Sequence, residues 1–335
     1  MRRRLLAILL LFLDASLFAG VSDMRDDQHR GMGVRGIALS DSYGTMFANP
    51  ASLVFNPGSI SASLWVTDNG YVNEPASGLM LSFCGKRMGF TLEQTTEFTK
   101  REDNLYNALK YTYLRMDWAY NWKRLSFGLS LNAQTAMKRT SIEIDAGREL
   151  TDLAVQTFFS RYETKPNSTK VTAALGAMLD MDWFTIGVVS DQFAEASDEG
   201  SLEFSGKDLY ENLCFGFSLY SPTFNHRSQL NLFKAGVSME LIHPFQDAST
   251  LRGGIDLKMQ MLSDAQIDFM AGWQQPFSTD ELFGMDWTEA TQSIGVLVTL
   301  QGWRINAYAE FPAKLYEGDG SARDVQTTVS FSFSR

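Results

Sequence analysis

Three cations occupy alternating positions between apolar residues in the C-terminal third of the sequence. Arg252 and Lys258 lie in LRGGIDLKMQM, and Arg304 lies in WRINAYAEF. A guanidinium or ammonium group in such a position can bind a carboxylate, and Arg can do so with two hydrogen bonds. The same stretches contain Asp256 and Glu310, so each cation could instead pair with a neighbouring acid.

The other reactive residue types form no recognisable site. His29, His226 and His243 are isolated in sequence, with no Cys or carboxylate at metal-ligand spacing. Cys84 and Cys214 fall on polar phases of their stretches and are predicted to be small fillers of the lumen rather than a redox pair. Nucleophile-elbow and phosphate-loop motifs are absent from the sequence. We predict a protein without metal, cofactor or enzymatic activity; a Ser/His pair assembled across distant strands is the alternative.

Residues 1–20 have the pattern of a secretory signal peptide. Three arginines precede the apolar run Leu5–Leu13, and the small residues Ala19 and Gly20 follow it. The run is too short for a convincing membrane anchor. The formal net charge of −10, without a basic block, argues against nucleic acid as a partner.

Aromatic content and alternation together predict a membrane β-barrel. Aromatic residues make up 13% of the chain, although no stretch after the signal peptide could form a spanning helix. Stretches such as LSFGLSLN and VQTTVSFSF alternate apolar and polar residues over about nine positions, which suits a tilted barrel strand. A soluble β-sandwich or barrel, the alternative, would have to bury the charged residues of the polar phase in a dry core or expose them outside.

We therefore predict an all-β, transmembrane antiparallel β-barrel of about fourteen strands in the bacterial outer membrane. Its expected partners are outer-membrane lipids and the barrel assembly machinery. The strands are predicted to begin near Gly58, Ser77, Lys86, Leu109, Lys123, Lys170, Trp183, Leu209, Leu230, Thr250, Ala265, Thr291, Gly302 and Asp324.

The predicted connections alternate between short and long. Because barrels have short periplasmic turns and long extracellular loops, this order places both termini in the periplasm. The short connections include 85–86, 121–122, 181–182, 263–264 and 301–302. The long connections lie near 67–76, 95–108, 137–169, 191–208, 275–290 and 313–323.

Residues 21–57 suit neither a strand nor a free tail. They include GVRGIALSDSYGTMFANPASL, in which Asn49 before Pro50 predicts a cap and the start of a short helix. Irregular backbone is tolerated at membrane depth only where protein buries it or it lines a cavity. We predict three regions: a signal peptide (1–20), a plug within the lumen (21–57) and the barrel (58–335).

This stretch resembles the N-terminal signature of FadL-type outer-membrane transporters of hydrophobic compounds, most closely the spirochaetal branch. The resemblance implies a fourteen-stranded barrel closed by an N-terminal hatch. It also implies passive, ligand-gated uptake of hydrophobic compounds such as long-chain fatty acids. The residues of the implied gate motif are Gly33, Arg35, Asn49, Pro50 and Ala51.

For such a ligand, candidate contacts lie in three places. The plug supplies Arg35 and Phe47, and the lumen supplies the three cations named first. Phe158 and Phe159 lie in ELTDLAVQTFFSRY, whose apolar residues recur at helical spacing. The resemblance implies that this helix captures ligand, whereas an ordinary helix on the barrel rim is the alternative. For the whole protein, the alternatives are a general diffusion porin and a surface-exposed structural or binding barrel.

Overall fold

The structure is a computed structural model that describes part of the 335-residue chain. The described residues are 32, 34–39, 45–55, 58–69, 76–102, 105–143, 168–181, 183–197, 203–222, 224–225, 232–246, 249–262, 265–277, 290–312 and 325–334. The predicted signal peptide, Gly33 and the stretch that holds Phe158 and Phe159 lie outside them.

Fourteen long antiparallel strands close into one barrel. The last strand pairs with the first, so that Ser330 lies opposite Trp65. The predicted fold class and strand number are thereby confirmed. The long strands are β1 (Ser59–Asn69), β2 (Ala76–Cys84), β3 (Met88–Glu102), β4 (Leu105–Trp122), β5 (Leu125–Glu143), β6 (Ser168–Asp180), β7 (Phe184–Ser197), β9 (Leu213–Tyr220), β11 (Leu232–Ile242), β12 (Ser249–Leu262), β13 (Ala265–Phe277), β14 (Thr291–Leu300), β15 (Trp303–Pro312) and β16 (Gln326–Ser334).

Two short strands and three short helices complete the described structure. β8 (Glu203–Phe204) pairs with β7, and β10 (Phe224–Asn225) pairs with β11. The helices are an α-helix at Thr45–Ala48, a 3-10 helix at Pro50–Phe55 and an α-helix at Gly206–Glu211. None of the helices in the described ranges is long and apolar enough to cross a membrane.

Several strands run further than the sequence predicted. The predicted 95–108 connection is wrong, because β3 and β4 leave only residues 103–104 between them. β5 and β7 likewise extend into the predicted connections near 137–169 and 191–208. The turn predicted at 121–122 lies two residues later, at Lys123, which has a positive φ of 61°. In the extended parts of β3, β4 and β5, apolar and polar residues alternate only weakly. The backbone there continues to pair with the neighbouring strand, which supports the longer strands.

The barrel wall has an apolar outer face and a polar inner face. On β12, Ile255 is 57% exposed and Leu257 44% exposed, whereas the intervening Asp256 is 4% exposed. Successive strand residues point to opposite faces, so the first two face outward and Asp256 faces the lumen. The predicted phase of Arg252, Lys258 and their neighbours is confirmed.

Leu64→Arg is expected to impair membrane folding by about 2–4 kcal/mol, because Leu64 lies on the outer face at the centre of β1. Ser63→Arg, on the inner face of the same strand, is expected to cost much less. Folding into bilayers from urea measures both free energies. Equal losses for the two variants would mean that the assignment of faces is wrong.

Candidate functional site

The N-terminal segment, meaning the described residues 32, 34–39 and 45–55, lies against the inner face of the barrel wall. Gly128 of β5 shares the inward phase with the buried Ser126 and Ser130. A Cβ atom at Gly128 would overlap the peptide that joins Pro50 to Ala51. Only glycine therefore permits this approach. Similar close approaches are made by Gly176 to Asn49, Gly187 to Ile37 and Gly254 to Met32.

The apolar side chains of the segment are buried against the wall in three clusters. Ile37, Ala51 and Leu53 have no exposed surface. Burial of such side chains contributes about 1.5–3 kcal/mol each. The clusters are Met32, Val34 and Leu39 with Tyr220, Met270 and Leu297; Phe47 and Leu53 with Met80, Cys84 and Ala119; and Ile37 and Ala48 with Val189, Cys214 and Ile242.

Glu240 of β11 binds three consecutive backbone N–H groups of the segment. Its Oε2 accepts from Arg35 N at 2.6 Å, and its Oε1 accepts from Gly36 N and Ile37 N at 2.7 Å each. Gly36 has a φ of +97°, a conformation that glycine adopts at no steric cost and that turns its amide toward the carboxylate. Glu240 is 3% exposed, so these charge-assisted hydrogen bonds lie away from water.

Asn49 joins the two halves of the segment to each other and to the wall. Its Nδ2 donates to Ile37 O at 3.0 Å and to Ala177 O of β6 at 3.2 Å. Its Oδ1 accepts from Ala51 N at 3.0 Å, at the start of the 3-10 helix. The predicted cap at Asn49 and the predicted helix start at Pro50 are confirmed. Asn49 is fully buried, which makes each of these partners costly to lose.

Arg115 of β4 makes a further polar contact with the segment. Its guanidinium donates to Phe47 O at 2.9 Å and lies over the Phe47 ring, 5.6 Å from the centroid. Asp117 holds the same guanidinium through a 2.8 Å ion pair. Both polar residues lie on the inner face and are buried. Phe47, a predicted ligand contact, is thus packed against the wall.

Arg35 and His243 meet at Asp191 on β7. Arg35 donates to Asp191 Oδ2 at 2.8 Å, and His243 Nε2 lies 3.1 Å from the same oxygen. The hydrogen bond with the Asp191 carboxylate raises the pKa of His243, in the turn after β11, to about 9. Cys214 completes the group, with its Sγ 4.0 Å from Asp191 Oδ2. His243 is isolated in sequence, but strand pairing brings it beside Asp191 and Cys214.

The predicted lumen cations lie on the inner face, on β12 and β15. Lys258 Nζ is 3.5 Å from Asp256 Oδ2, which is the acid pairing considered as the alternative. Lys258 also lies over the Tyr220 ring, 5.6 Å from the centroid. Arg252 is the register partner of Glu240 on the adjacent strand. Arg304 lies on β15, three strands beyond Arg252.

Sequence reasoning missed Glu240, Asp191 and Arg115 as contacts of the segment. Each is a charged residue at an inward position of a barrel strand. An inward charged residue can be recognised in the sequence, but every charged residue that lines a water-filled lumen has the same pattern. Which of these residues contacts the segment depends on how the segment lies inside the barrel. Glu240 and Gly36, for example, are 204 positions apart in the sequence.

Gly128→Ala is expected to loosen the segment, because the added methyl group meets backbone that cannot rotate away. Overpacking of this kind costs about 1–3 kcal/mol. Limited proteolysis of the folded barrel should therefore cut residues 45–55 faster than in the parent. Gly89→Ala is the matched control, since its Cβ would lie 3.4 Å from Leu53 Cδ1, an ordinary contact. If both variants resist proteolysis as the parent does, the close approach at Gly128 is wrong.

No protein-family model matches the sequence, and no curated protein is similar to it in sequence. Solved structures are similar in fold. The CymD monoaromatic hydrocarbon channel has a TM-score of 0.55 and 12% identity over 92% of this chain and 96% of that one. A TodX monoaromatic hydrocarbon channel, the deltaS2S3 mutant, has a TM-score of 0.54 and 11% identity over 93% and 98%. A Pseudomonas aeruginosa FadL homologue has a TM-score of 0.46 and 13% identity over 95% and 99%.

CymD and TodX, the two with TM-scores above 0.5, are described as monoaromatic hydrocarbon channels, and the resemblance drawn from the N-terminal residues is confirmed at the level of fold. A closed fourteen-stranded barrel with an apolar outer face supports the outer membrane as the location. The predicted signal-peptide cleavage, the region boundaries and the lack of enzymatic activity stay predictions.

Proposed function

We propose that the chain is an outer-membrane channel for hydrophobic compounds, in which residues 21–57 form a plug that gates the lumen. The observation that carries this proposal is the docking of the N-terminal segment on inner-face glycines and on Glu240. A general diffusion porin needs an open lumen, whereas this inner wall is shaped to hold a segment of its own chain.

The contacts of the segment support a gate that a ligand could open. Its apolar residues Met32, Val34 and Leu39 pack against Tyr220 and Met270, forming an apolar surface within a largely polar lumen. A hydrophobic ligand that displaces these contacts would stabilise a state in which the segment has moved. The ligand shifts the equilibrium only by the difference between its affinities for the two states.

Long-chain fatty acids are the first candidate substrates. Arg252, Lys258 and Arg304 on the inner face supply positive charge for a carboxylate, with Arg35 as a fourth cation in the plug. Neutral aromatic hydrocarbons are the second candidate. Lys258 already lies near Asp256, and the two neighbours with the higher TM-scores are described as monoaromatic hydrocarbon channels.

Uptake by proteoliposomes tests the proposal and separates the two substrates. We expect the purified barrel to accelerate entry of radiolabelled palmitate over empty liposomes, without accelerating entry of a labelled disaccharide. Arg252→Gln with Arg304→Gln should slow palmitate uptake and leave toluene uptake unchanged. Rapid disaccharide entry would establish a porin, and failure to accelerate any hydrophobic compound would refute the channel.

A further inference from the structure

Three metal-ligating side chains of different types meet where three adjacent strands, β7, β9 and β11, run side by side. Asp191 belongs to β7, Cys214 to β9 and His243 to the turn that follows β11. One ligand atom from each lies within 4.8 Å of the other two. This group is separate from the inner-face cations assigned above to ligand binding.

We propose that Asp191, Cys214 and His243 form a binding site for a borderline-soft divalent metal ion of the Zn²⁺ class. Thiolate, imidazole and carboxylate are the three ligand types that Zn²⁺ takes in proteins, and hard ions such as Mg²⁺ do not select thiolate. The fourth position would hold water, since the group supplies three ligands.

The measured separations are close to those of a tetrahedral site. Zinc bonds of about 2.0–2.3 Å in a tetrahedron place ligand atoms roughly 3.3–3.8 Å apart. The His243 to Asp191 distances are 3.1 and 3.2 Å, and Cys214 Sγ lies 4.0 Å from Asp191. The ligand atoms therefore lie near the separations that an enclosed ion requires.

The surroundings orient the ligands and leave a route for an ion. Ser249 Oγ donates to His243 O at 2.8 Å, and His243 N donates to Leu213 O at 3.0 Å, which fixes the turn beside Cys214. The Asp191 and His243 side chains are 22% and 24% exposed, so an ion can reach them. Arg35 donates to Asp191 Oδ2, which gives the carboxylate the outer hydrogen bond that metal-bound carboxylates commonly have.

Binding requires two proton losses and no redox partner. The Cys214 thiol becomes a thiolate and the His243 ring gives up the proton that it shares with Asp191, and both protons pass to water. The ligands then carry two negative charges, which match the charge of the ion.

Cobalt titration of the purified, metal-free barrel tests the site, because a thiolate bound to Co²⁺ gives a charge-transfer absorption in the near ultraviolet. We expect this absorption to saturate at one equivalent and to disappear on addition of Zn²⁺. Cys214→Ser and His243→Ala should abolish it, whereas Cys84→Ser, which changes the other cysteine, should retain it.

Each variant is first checked for the heat-modifiable gel mobility of a folded barrel. If Cys214→Ser does not fold, the test uses His243→Ala and Asp191→Asn instead. Their zinc content after dialysis is measured, and we expect it to fall from about one ion per chain in the parent to none. The site would be refuted if the parent shows no cobalt absorption, or if folded Cys214→Ser retains it. Either of these two results would refute the metal site without testing the proposed uptake of hydrophobic compounds.

Discussion

Deletion of residues 21–54 is expected to leave a folded barrel that conducts ions far more than the parent does. The fourteen strands begin at Ser59 and close on themselves, so the wall does not need the segment for its pairing. The described part of the segment covers inner-face positions on β5, β6, β7 and β12. Its removal would expose a lumen lined with polar and charged groups, which water and ions can fill.

Planar-bilayer recording of the deletion and of identically refolded parent measures the effect. We expect single-channel conductance to rise severalfold and the preference of uptake for hydrophobic compounds over a labelled disaccharide to be lost. A deletion that conducts no more than the parent, and takes up palmitate equally well, would show that the segment is no gate.

Glu240→Ala is expected to release the first half of the segment while leaving the barrel intact. The substitution leaves the amides of Arg35, Gly36 and Ile37 without their buried acceptor. Each unsatisfied buried group costs about 1–3 kcal/mol, and the loss is larger when the partner was charged. The docked state should therefore lose enough stability for the segment to leave the wall for much of the time.

Amide hydrogen exchange at residues 34–39, followed by mass spectrometry, reports this release directly. We expect exchange there to accelerate at least tenfold in Glu240→Ala and less in Glu240→Gln, which keeps one acceptor oxygen. Glu310→Ala, an inner-face acid four strands away on β15, serves as the control and should not change it. Unchanged protection in Glu240→Ala would mean that the carboxylate does not hold the segment.

The barrel could be predicted because its governing pattern is local. A strand with one lipid face and one wet face must alternate, and runs such as LSFGLSLN reveal both the strand and its phase. The ends of the strands could not be predicted in this way. The end of β3 reads EFTKRE, which no longer alternates, and the strand continues there because it pairs with β4.

The candidate site was predictable only in part. Asn49-Pro50 marks a cap by local chemistry, and the structure confirms it. The partners of Arg35 were not predictable, because Asp191 lies 156 positions away and resembles any other acid of the lumen. The role of the inner-face glycines likewise becomes clear only from the docked segment. The sequence FTIGVVSD around Gly187 does not predict that Ile37 lies against this glycine.

A reversible tether between the segment and the wall tests the gating claim most directly. Leu53 packs in one cluster with the native Cys84, and a Cβ at Gly89 would lie within 3.7 Å of side-chain atoms of both. Leu53→Cys can therefore be joined to Cys84 by a short reducible cross-linker, with identically treated parent as control. The measurement is uptake of labelled palmitate by proteoliposomes before and after reduction. We expect uptake to stop in the tethered protein and to return on reduction; uptake at the parental rate while the tether is intact would contradict a gate formed by this segment.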